Sequence, residues 1–337
     1  MRKRHLAIVS VTICVIFVAA GLYSYRALFA EIALPSIDSA PVKIEVVAGS
    51  SLSRVAKELG ELGYLSSPTV FKIWARLQGV ENSIQTGEYE IQSGITPVQL
   101  LDKIVRGESV QYRITLVEGW TFQQALDAIF SAENIHGTLT SSSLAEIALR
   151  MNLDAENPEG LLYPDTYFYT KDTSDIELLL RANERLDTIL TEAWESRLGA
   201  LPYANPYEAL IMASIIEKES ASNSERGLIA AVFVTRLDQG MRLQSDPTTI
   251  YGMGDRYDGN IRRADLSEET PYNTYRIAGL PPTPIALSGE ESINAALNPS
   301  ASDYLYFVAK GDGSHQFSRT LEEHNAAVRE YQLGTSN

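Results

Sequence analysis

An uninterrupted apolar stretch near the start of the chain constrains its fold more than any other feature. Residues 6–25 contain no charged side chain. A helix rises about 1.5 Å per residue, so this stretch covers roughly the 30 Å thickness of the hydrocarbon core of a bilayer. Arg2, Lys3 and Arg4 precede it, and the positive-inside rule therefore predicts a cytoplasmic N-terminus. We expect residues 1–26 to be a cytoplasmic tip and single-pass anchor in the inner (cytoplasmic) membrane, with the rest of the chain in the periplasm.

A cleaved signal peptide is the alternative interpretation of the same stretch. Val18-Ala19-Ala20 offers small residues at the spacing that signal peptidases require. The apolar stretch continues past this site through Leu22, which favours an uncleaved anchor. Both interpretations export the remaining chain. Cys14, the one cysteine, lies inside the apolar stretch, so the exported part has no thiol, as suits an oxidising compartment.

Composition excludes two broad classes of protein. The chain has 28 basic and 43 acidic residues, a formal net charge of −15 and an isoelectric point near 4.8. A basic face that binds nucleic acid is therefore not expected. Hydrophobic residues make up 45% of the chain, which excludes disorder. A length of 337 residues predicts about two domains.

Three further segments follow the anchor. Residues 27–42 contain two prolines and two serines without a helical period, which predicts a linker. Residues 43–108 have the pattern of a small α+β module, and Gly107-Glu108-Ser109 marks its end. Residues 109–337 form the largest segment. The fold class that we predict is α+β, with a larger α+β catalytic domain in this last segment.

The small module is predicted to contain a strand, two helices and a second strand. Residues 43–47 are rich in β-branched side chains, apolar patterns at helical spacing begin near Leu52 and Ser67, and Gly87–Ile91 predicts the returning strand. This order resembles a LysM-like module, a fold associated with glycans that contain N-acetylglucosamine. The resemblance implies glycan contact, and a plain spacer is the alternative.

A buried helix that carries a glutamate is the main catalytic signal. Residues 209–216 are apolar on nearly every side, which is typical of a helix inside a core, and Pro206 suits its first turn. Glu217 follows directly. Burial disfavours an ionised carboxylate, and a carboxylic acid that keeps its proton near neutral pH can act as a general acid. The alternative is that Glu217-Lys218-Glu219 is a solvated charge cluster at a fraying helix end.

Polar and aromatic residues on later loops predict a carbohydrate-binding groove. Aromatic faces pack on sugar C–H surfaces, while amides and carboxylates bind hydroxyl and acetamido groups. The same residue types also dominate ordinary turns. The candidate substrate-binding residues are Gln244, Asp246, Tyr272, Asn273 and Tyr275.

Several ordered strings identify the family that the chain resembles. They are MASIIEKE at 212–219, MRLQSDPTTIYGMG at 241–254, YNTY at 272–275 and GLPP at 279–282. With these strings the chain resembles the YceG-like family of endolytic murein transglycosylases. The resemblance includes the anchor, the LysM-like module and residues 110–331.

The resemblance implies a reaction and a catalytic residue. Glu217, which opens the Glu-Lys-Glu triplet, corresponds to the catalytic acid and base of the family. The implied reaction cleaves peptidoglycan strands between N-acetylmuramic acid and N-acetylglucosamine without water and leaves 1,6-anhydro-muramyl ends. The resemblance also implies trimming or termination of nascent strands beside peptidoglycan synthases, the penicillin-binding proteins.

The sequence leaves the existence of a second catalytic carboxylate open. Glu219 lies two residues beyond Glu217, about 200° around a helix, and we expect it to have a structural role. Asp246 precedes Pro247, and either orients Gln244 or substrate, or caps a turn. A hydrolytic muramidase with Asp246 as partner acid, and a non-enzymatic wall-binding adaptor, are therefore the alternatives.

No metal or cofactor is expected. The four histidines have no zinc-ligand spacing, and a glycine-rich phosphate loop is missing from the sequence.

Overall fold

The structure is a computed structural model that describes residues 2–34, 41–219 and 223–334. Within these ranges most elements are helices, and the short strands form three two-stranded sheets, so the predicted mixed α+β class is confirmed. The chain divides into two compact units. The first comprises Met1–Tyr112 and Tyr169–Lys171, and the second comprises Arg113–Phe168 and Asp172–Asn337.

The first unit begins with a long apolar helix, α1, over Arg2–Phe29. Its stretch Ala7–Phe29 is long and apolar enough to cross a membrane, and no other helix in the described part of the chain is. Arg26 lies in the last turn of the helix, so the helix continues beyond the uncharged stretch. The side chains of Ala27 and Leu28 are buried.

The end of α1 packs against the rest of the first unit, whereas a linker was predicted from residue 27. The ring of Phe29 meets the ring of Trp74 edge-on with centroids 5.7 Å apart. Ile32 is part of the hydrophobic core, and its N–H donates to the carbonyl of Ile95 at 2.8 Å. These apolar side chains pack into the core of the first unit. A prediction based on composition cannot detect this packing, because it depends on residues distant in sequence. Residues 35–40 of that predicted linker lie outside the described residues.

The remainder of the first unit is a two-stranded antiparallel sheet covered by three helices. Ile44 stands opposite Tyr89 in the register of the sheet, and both side chains are buried. Serine or threonine side chains cap all three helices, as expected for residues that satisfy free N–H groups. In chain order the elements are β1 (Val42–Val46), α2 (Leu52–Glu61), α3 (Pro68–Leu77), β2 (Gly87–Ile91) and α4 (Pro97–Arg106).

The following elements include two more strand pairs and most of the helices. Strand β3 pairs with β4, and β5 pairs with β6. In chain order they are β3 (Tyr112–Thr115), α5 (Phe122–Ser131), α6 (Leu144–Arg150), β4 (Thr166–Tyr169), α7 (Asp175–Glu195), α8 (Pro206–Glu219), α9 (Asn223–Asp238), α10 (Asp246–Met253), α11 (Arg263–Ser267), α12 (Glu290–Leu297), β5 (Tyr306–Ala309), β6 (His315–Ser318) and α13 (Leu321–Tyr331).

Helix α8 forms the centre of the second unit. Its residues 209–216 are all buried, because the helix contacts α7, α9, α10 and α12. Phe233 of α9 and Leu297 of α12 belong to the same hydrophobic core. This packing fixes the last turn of α8, and therefore the side chains of Glu217 and Glu219.

Candidate active site

The side chain of Glu217 is held in place at the end of α8 with only 5% of it exposed. Arg226 of α9 donates from Nη2 to Oε1 at 3.0 Å. The N–H of Gly289, directly before α12, donates to Oε2 at 3.1 Å. Both the guanidinium and the N-terminus of a helix stabilise negative charge, whereas burial disfavours it. The sequence pattern indicated the burial but neither of these two donors.

A second carboxylate, that of Glu118, faces the same guanidinium. Its Oε2 lies 4.0 Å from Arg226 Nη2, and 50% of the Glu118 side chain is exposed compared with 9% of the Arg226 side chain. Partial burial raises the pKa of Glu118, and the negative charge of Glu217 raises it further, while Arg226 lowers it. Glu217 and Glu118 therefore share one buried cation.

The loop that carries Glu118 is fixed by hydrogen bonds to α8 and to the segment before α12. Lys218 Nζ donates to the carbonyl of Gly119 at 3.0 Å. The N–H of Gly119 donates to Leu287 at 2.9 Å, and the N–H of Leu287 donates to Trp120 at 2.7 Å. Lys218, which lies beside the catalytic candidate in sequence, thus helps to position the second carboxylate.

A third acidic residue, Glu159, anchors the start of α5 behind this loop. The side chain is buried, and its Oε1 accepts the N–H groups of Phe122 at 2.8 Å and Gly160 at 3.1 Å. Tyr251 donates its hydroxyl to Oε2 at 3.0 Å. Burial raises the pKa of Glu159, and these donors act in the opposite direction. Because its oxygens are occupied from several sides, Glu159 is suited to supporting the site.

Gly289 leaves room for the Glu118 carboxylate. A Cβ atom at residue 289 would lie 2.1 Å from Glu118 Oε1. The φ angle of Gly289 is −75°, which any residue adopts, so a side chain here would displace the Glu118 carboxylate without straining the backbone. Gly289 therefore touches both carboxylates, because it donates its N–H to Glu217 and lies against Glu118.

Glu219 has a different environment from Glu217. Its Oε1 accepts the hydroxyl of Ser245 at 2.6 Å. Burial raises the pKa of Glu219 to about 7; the charge of Asp246 contributes to this rise, while the Ser245 hydrogen bond and Arg236 oppose it. A carboxyl group with this pKa exchanges a proton near neutral pH.

Glu219 lines a pocket of about 530 Å³ that contains three of the five predicted substrate-binding residues. Tyr275 donates its hydroxyl to Asp246 Oδ1 at 2.7 Å, and Asp246 is the first residue of α10. Arg236 Nη1 lies 3.4 Å from Gln244 Oε1. Strands β5 and β6 and helix α13 complete the wall. The polar lining residues are Glu219, Arg236, Gln244, Asp246, Tyr275, Tyr306, His315, His324, Asn325 and Gln332.

Gln244 has a strained backbone at this pocket. Its φ angle is +54°, in the left-handed region that a non-glycine side chain seldom occupies. Its N–H donates to the carbonyl of Thr274 at 3.2 Å, which holds the conformation. Strained residues of this kind are concentrated at functional sites, and the strain here accompanies a side chain on the pocket wall.

The other two predicted substrate-binding residues support the loops instead of lining this pocket. Tyr272 packs against Tyr251 with ring centroids 4.8 Å apart, and its hydroxyl bonds to Thr283 at 2.8 Å. Asn273 is buried, and its amide donates to the carbonyls of Asp265, Leu266 and Glu268. Glu217 is also absent from the described lining of the pocket.

Sequence reasoning did not select Arg226, Glu118 or Gly289 as site residues. Their chain positions are far apart, and each belongs to a different segment. The one local signal was the Glu118-Gly119 turn that precedes α5. Among the residues that the structure describes, His, Cys, Asp and Glu side chains form no cluster that could hold a metal ion.

Comparison with known proteins identifies relatives over most of the chain. An endolytic murein transglycosylase of Bacillus subtilis is 31% identical over 307 residues, covering 86% of this chain and 84% of that protein. One from Streptococcus pneumoniae is 26% identical over 324 residues, covering 86% of this chain and 58% of that protein. A crystal structure of a YceG-like protein from Listeria monocytogenes matches with a TM-score of 0.53 and 29% identity, covering 85% of this chain and 98% of that chain.

The family match includes both the small module and the site around Glu217. The sequence model of the YceG-like family matches residues 44–330. The resemblance drawn from the sequence motifs is therefore confirmed, and the chain belongs to the YceG-like family.

Proposed function

We propose that this chain is an endolytic lytic transglycosylase of peptidoglycan and that Glu217 is its catalytic acid and base. The enzyme class is supported by family membership and by relatives named endolytic murein transglycosylase. The observation that carries the assignment of Glu217 is its buried carboxyl group, fixed by Arg226 and Gly289 at the end of the central helix. General acid and base catalysis requires a positioned group of this kind.

In the first step Glu217 acts as an acid. The protonated carboxyl group donates its proton to the oxygen between N-acetylmuramic acid and N-acetylglucosamine, and the bond from that oxygen to C1 of the muramyl residue breaks. The positive charge that develops at C1 is stabilised by the oxygen of the substrate's own acetamido group. Glu217 is then ionised, and Arg226 and the N–H of Gly289 stabilise its negative charge.

In the second step Glu217 acts as a base. It removes the proton from the C6 hydroxyl of the muramyl residue, and the C6 oxygen forms a bond to C1. This closes the 1,6-anhydro ring and restores the protonated carboxyl group. One carboxyl group thus serves both steps and no water is consumed, whereas ordinary glycoside hydrolysis uses a pair of carboxylates.

The pocket beside Glu219 is our candidate for holding sugar residues of the strand. Gln244 offers an amide, Asp246 a carboxylate and Tyr275 an aromatic ring to one cavity, which is the combination that recognises carbohydrates. Tyr272 and Asn273 shape the adjoining loops through their internal contacts. We therefore assign direct substrate contact to the first three residues and loop support to the other two.

The first unit provides the attachment to the membrane in this proposal. Helix α1 is the transmembrane anchor, its basic start lies in the cytoplasm, and the later segments are periplasmic. The strand, helix, helix, strand order of β1, α2, α3 and β2 supports a LysM-like module that contacts glycan. An anchored enzyme of this kind acts on nascent strands close to the membrane, beside peptidoglycan synthases.

The test uses the full chain in detergent micelles with purified peptidoglycan, and mass spectrometry of the released muropeptides. We expect 1,6-anhydro-muramyl ends from the unmutated protein and none from Glu217→Gln. A matched control is Glu268→Gln, since Glu268 also pairs with an arginine, Arg256, but on the exposed surface. Reducing ends would indicate a hydrolase. If cells that carry Glu217→Gln keep full function, the protein is a non-enzymatic adaptor.

A further inference from the structure

Arg226 creates a difficulty for the first step of the proposed reaction. Glu217 has to carry a proton before it can act as an acid, yet Arg226 Nη2 is 3.0 Å from its Oε1 and favours the ionised form. When Glu217 is protonated, Arg226 loses its anionic partner. The Arg226 side chain is only 9% exposed, and a buried cation without a partner is costly.

We propose that Glu118 is a positioning residue that accepts Arg226 whenever Glu217 is protonated. This inference rests on the proposed function of Glu217. Glu118 Oε2 lies 4.0 Å from the same guanidinium nitrogen that binds Glu217. A small rotation of Arg226 therefore exchanges one carboxylate for the other, so the buried cation has an anionic partner in both protonation states of Glu217.

The geometry leaves Arg226 able to make this exchange. Its Nε is buried and has no hydrogen-bond partner among the described residues, so the guanidinium is not locked by a full set of acceptors. The backbone beside Glu118 is held in place, because Lys218 and Leu287 bind the neighbouring Gly119. The arrangement thus places one guanidinium nitrogen within 4.0 Å of two carboxylates.

The carboxylates of Glu118 and Glu217 both lie against Gly289, which has no side chain to separate them. Gly289 touches both of them, and a larger side chain at that position would push the Glu118 carboxylate out of its present place. The groups that face the pair are Arg226 from α9, Glu291 from α12 and Lys218 from α8. The charges of Glu217 and Glu291 both raise the pKa of Glu118, and Arg226 lowers it. Arg226 is the cation that lies close enough to exchange between the pair.

The proposal predicts how the pH dependence of the reaction changes. In Glu118→Gln, Arg226 has Glu217 as its remaining carboxylate partner at the site, so protonation of Glu217 becomes harder. We expect the alkaline limb of kcat/KM to move to lower pH by about one unit, because removal of the neighbouring negative charge of Glu118 favours ionised Glu217. Activity at pH 7 should fall about tenfold and recover toward the unmutated value as the pH is lowered.

The experiment measures anhydro-muramyl product formation by the full chain in detergent micelles from pH 4.5 to 8.5. Glu118→Asp, which keeps the charge, should leave the alkaline limb close to its unmutated position. Glu268→Gln controls for loss of a surface carboxylate that pairs with an arginine. Thermal unfolding of each variant checks that it is folded, and half exposure of Glu118 makes a folding defect in Glu118→Gln small.

Two failures are distinguishable. If the unmutated chain forms no anhydro-muramyl ends, the proposed function is wrong. If the unmutated chain is active but Glu118→Gln lowers activity equally at every pH, or changes nothing, the exchange of Arg226 is wrong and Glu118 has a structural role. A shift of the alkaline limb in Glu118→Asp as large as in Glu118→Gln would also overturn the proposal, because the charge would then be irrelevant.

Discussion

The two acidic residues at the end of α8 differ more than their separation in sequence indicates. Glu217 binds a guanidinium and the N–H before a helix, and both contacts favour its negative charge. Glu219 accepts the hydroxyl of Ser245, and burial raises its pKa to about 7. One helical turn thus carries one carboxyl group that is bound by a cation and a backbone N–H, and a second carboxyl group whose pKa is raised by burial. The difference comes from the neighbouring elements and not from α8 itself.

The largest effect is expected from Glu217→Gln. A glutamine has nearly the same shape but cannot give up or take the proton, and a positioned general acid contributes about 10²-fold to 10⁴-fold in rate. We expect a loss of that size in the formation of anhydro-muramyl ends, with thermal unfolding little changed. The contrast between the two glutamates would be broken if Glu219→Gln reduced the rate to the same extent.

The next effect concerns stability and Glu219. The folded protein holds a proton on Glu219 up to about pH 7, compared with 4.5 for the unperturbed group. The unfolded chain therefore ionises first, and the free energy of unfolding falls as the pH rises through this range. Glu219→Gln removes the ionisation and should be more stable than the unmutated protein at pH 8, by up to about 3 kcal/mol.

At about pH 3.5 the same two proteins should unfold at nearly equal denaturant concentrations, because Glu219 is then protonated in both the folded and the unfolded state. Denaturant unfolding at about pH 3.5 and at pH 8 measures both differences. Equal stability at pH 8 would show that burial does not raise the pKa of Glu219 in the folded protein. The proposed electrostatic difference between Glu219 and Glu217 would then be wrong.

A smaller effect is expected from Gly289→Ala on the Glu217 side. The added Cβ would lie 2.1 Å from Glu118 Oε1, so the Glu118 carboxylate or the start of α12 has to move. We expect about a tenfold loss in kcat/KM, less than the roughly 10²-fold that a 1 Å displacement in an active site can cause, because Glu118 is not the reacting group. Gly137→Ala is the matched control, since its Cβ would approach no atom closer than 3.2 Å. Equal activity of both variants would contradict the steric role of Gly289.

The smallest effect is expected from Tyr275→Phe in the pocket beside Glu219. The change removes the hydroxyl that donates to Asp246 at 2.7 Å. A single hydrogen bond contributes about 0.5–1.5 kcal/mol, so KM for soluble glycan strands should rise about threefold to tenfold. Tyr257→Phe, which alters a surface tyrosine, is the control. An unchanged KM would remove Tyr275 from the substrate-binding residues.

Local sequence patterns predicted the features that depend on local periodicity. The apolar helix at the start and the order of β1, α2, α3 and β2 follow from apolar spacing and turn residues. The burial of residues 209–216 in α8 is predicted because the helix is apolar on nearly every side. The position of Glu217 at the end of this helix could be predicted for the same reason.

The residues around Glu217 could not be predicted in this way, because they come from three distant segments. Arg226 lies on α9, Glu118 follows β3 and Gly289 precedes α12, and no spacing in the chain encodes their meeting. The role of Gly289 can be recognised only in the structure, where its Cα lies against the Glu118 carboxylate. The pocket likewise brings Gln244 and Tyr275 together through a loop contact, in which the Gln244 N–H donates to Thr274.

The packing at the end of α1 has a mechanical consequence. Phe29 rests on Trp74, and Ile32 joins the core of the first unit. When α1 spans a bilayer, as we propose, the module is packed directly against the end of the helix and is not joined to it by a flexible linker. Any tilt or rotation of α1 in the bilayer then turns the module as well, so the orientation of the helix and the orientation of the module change together.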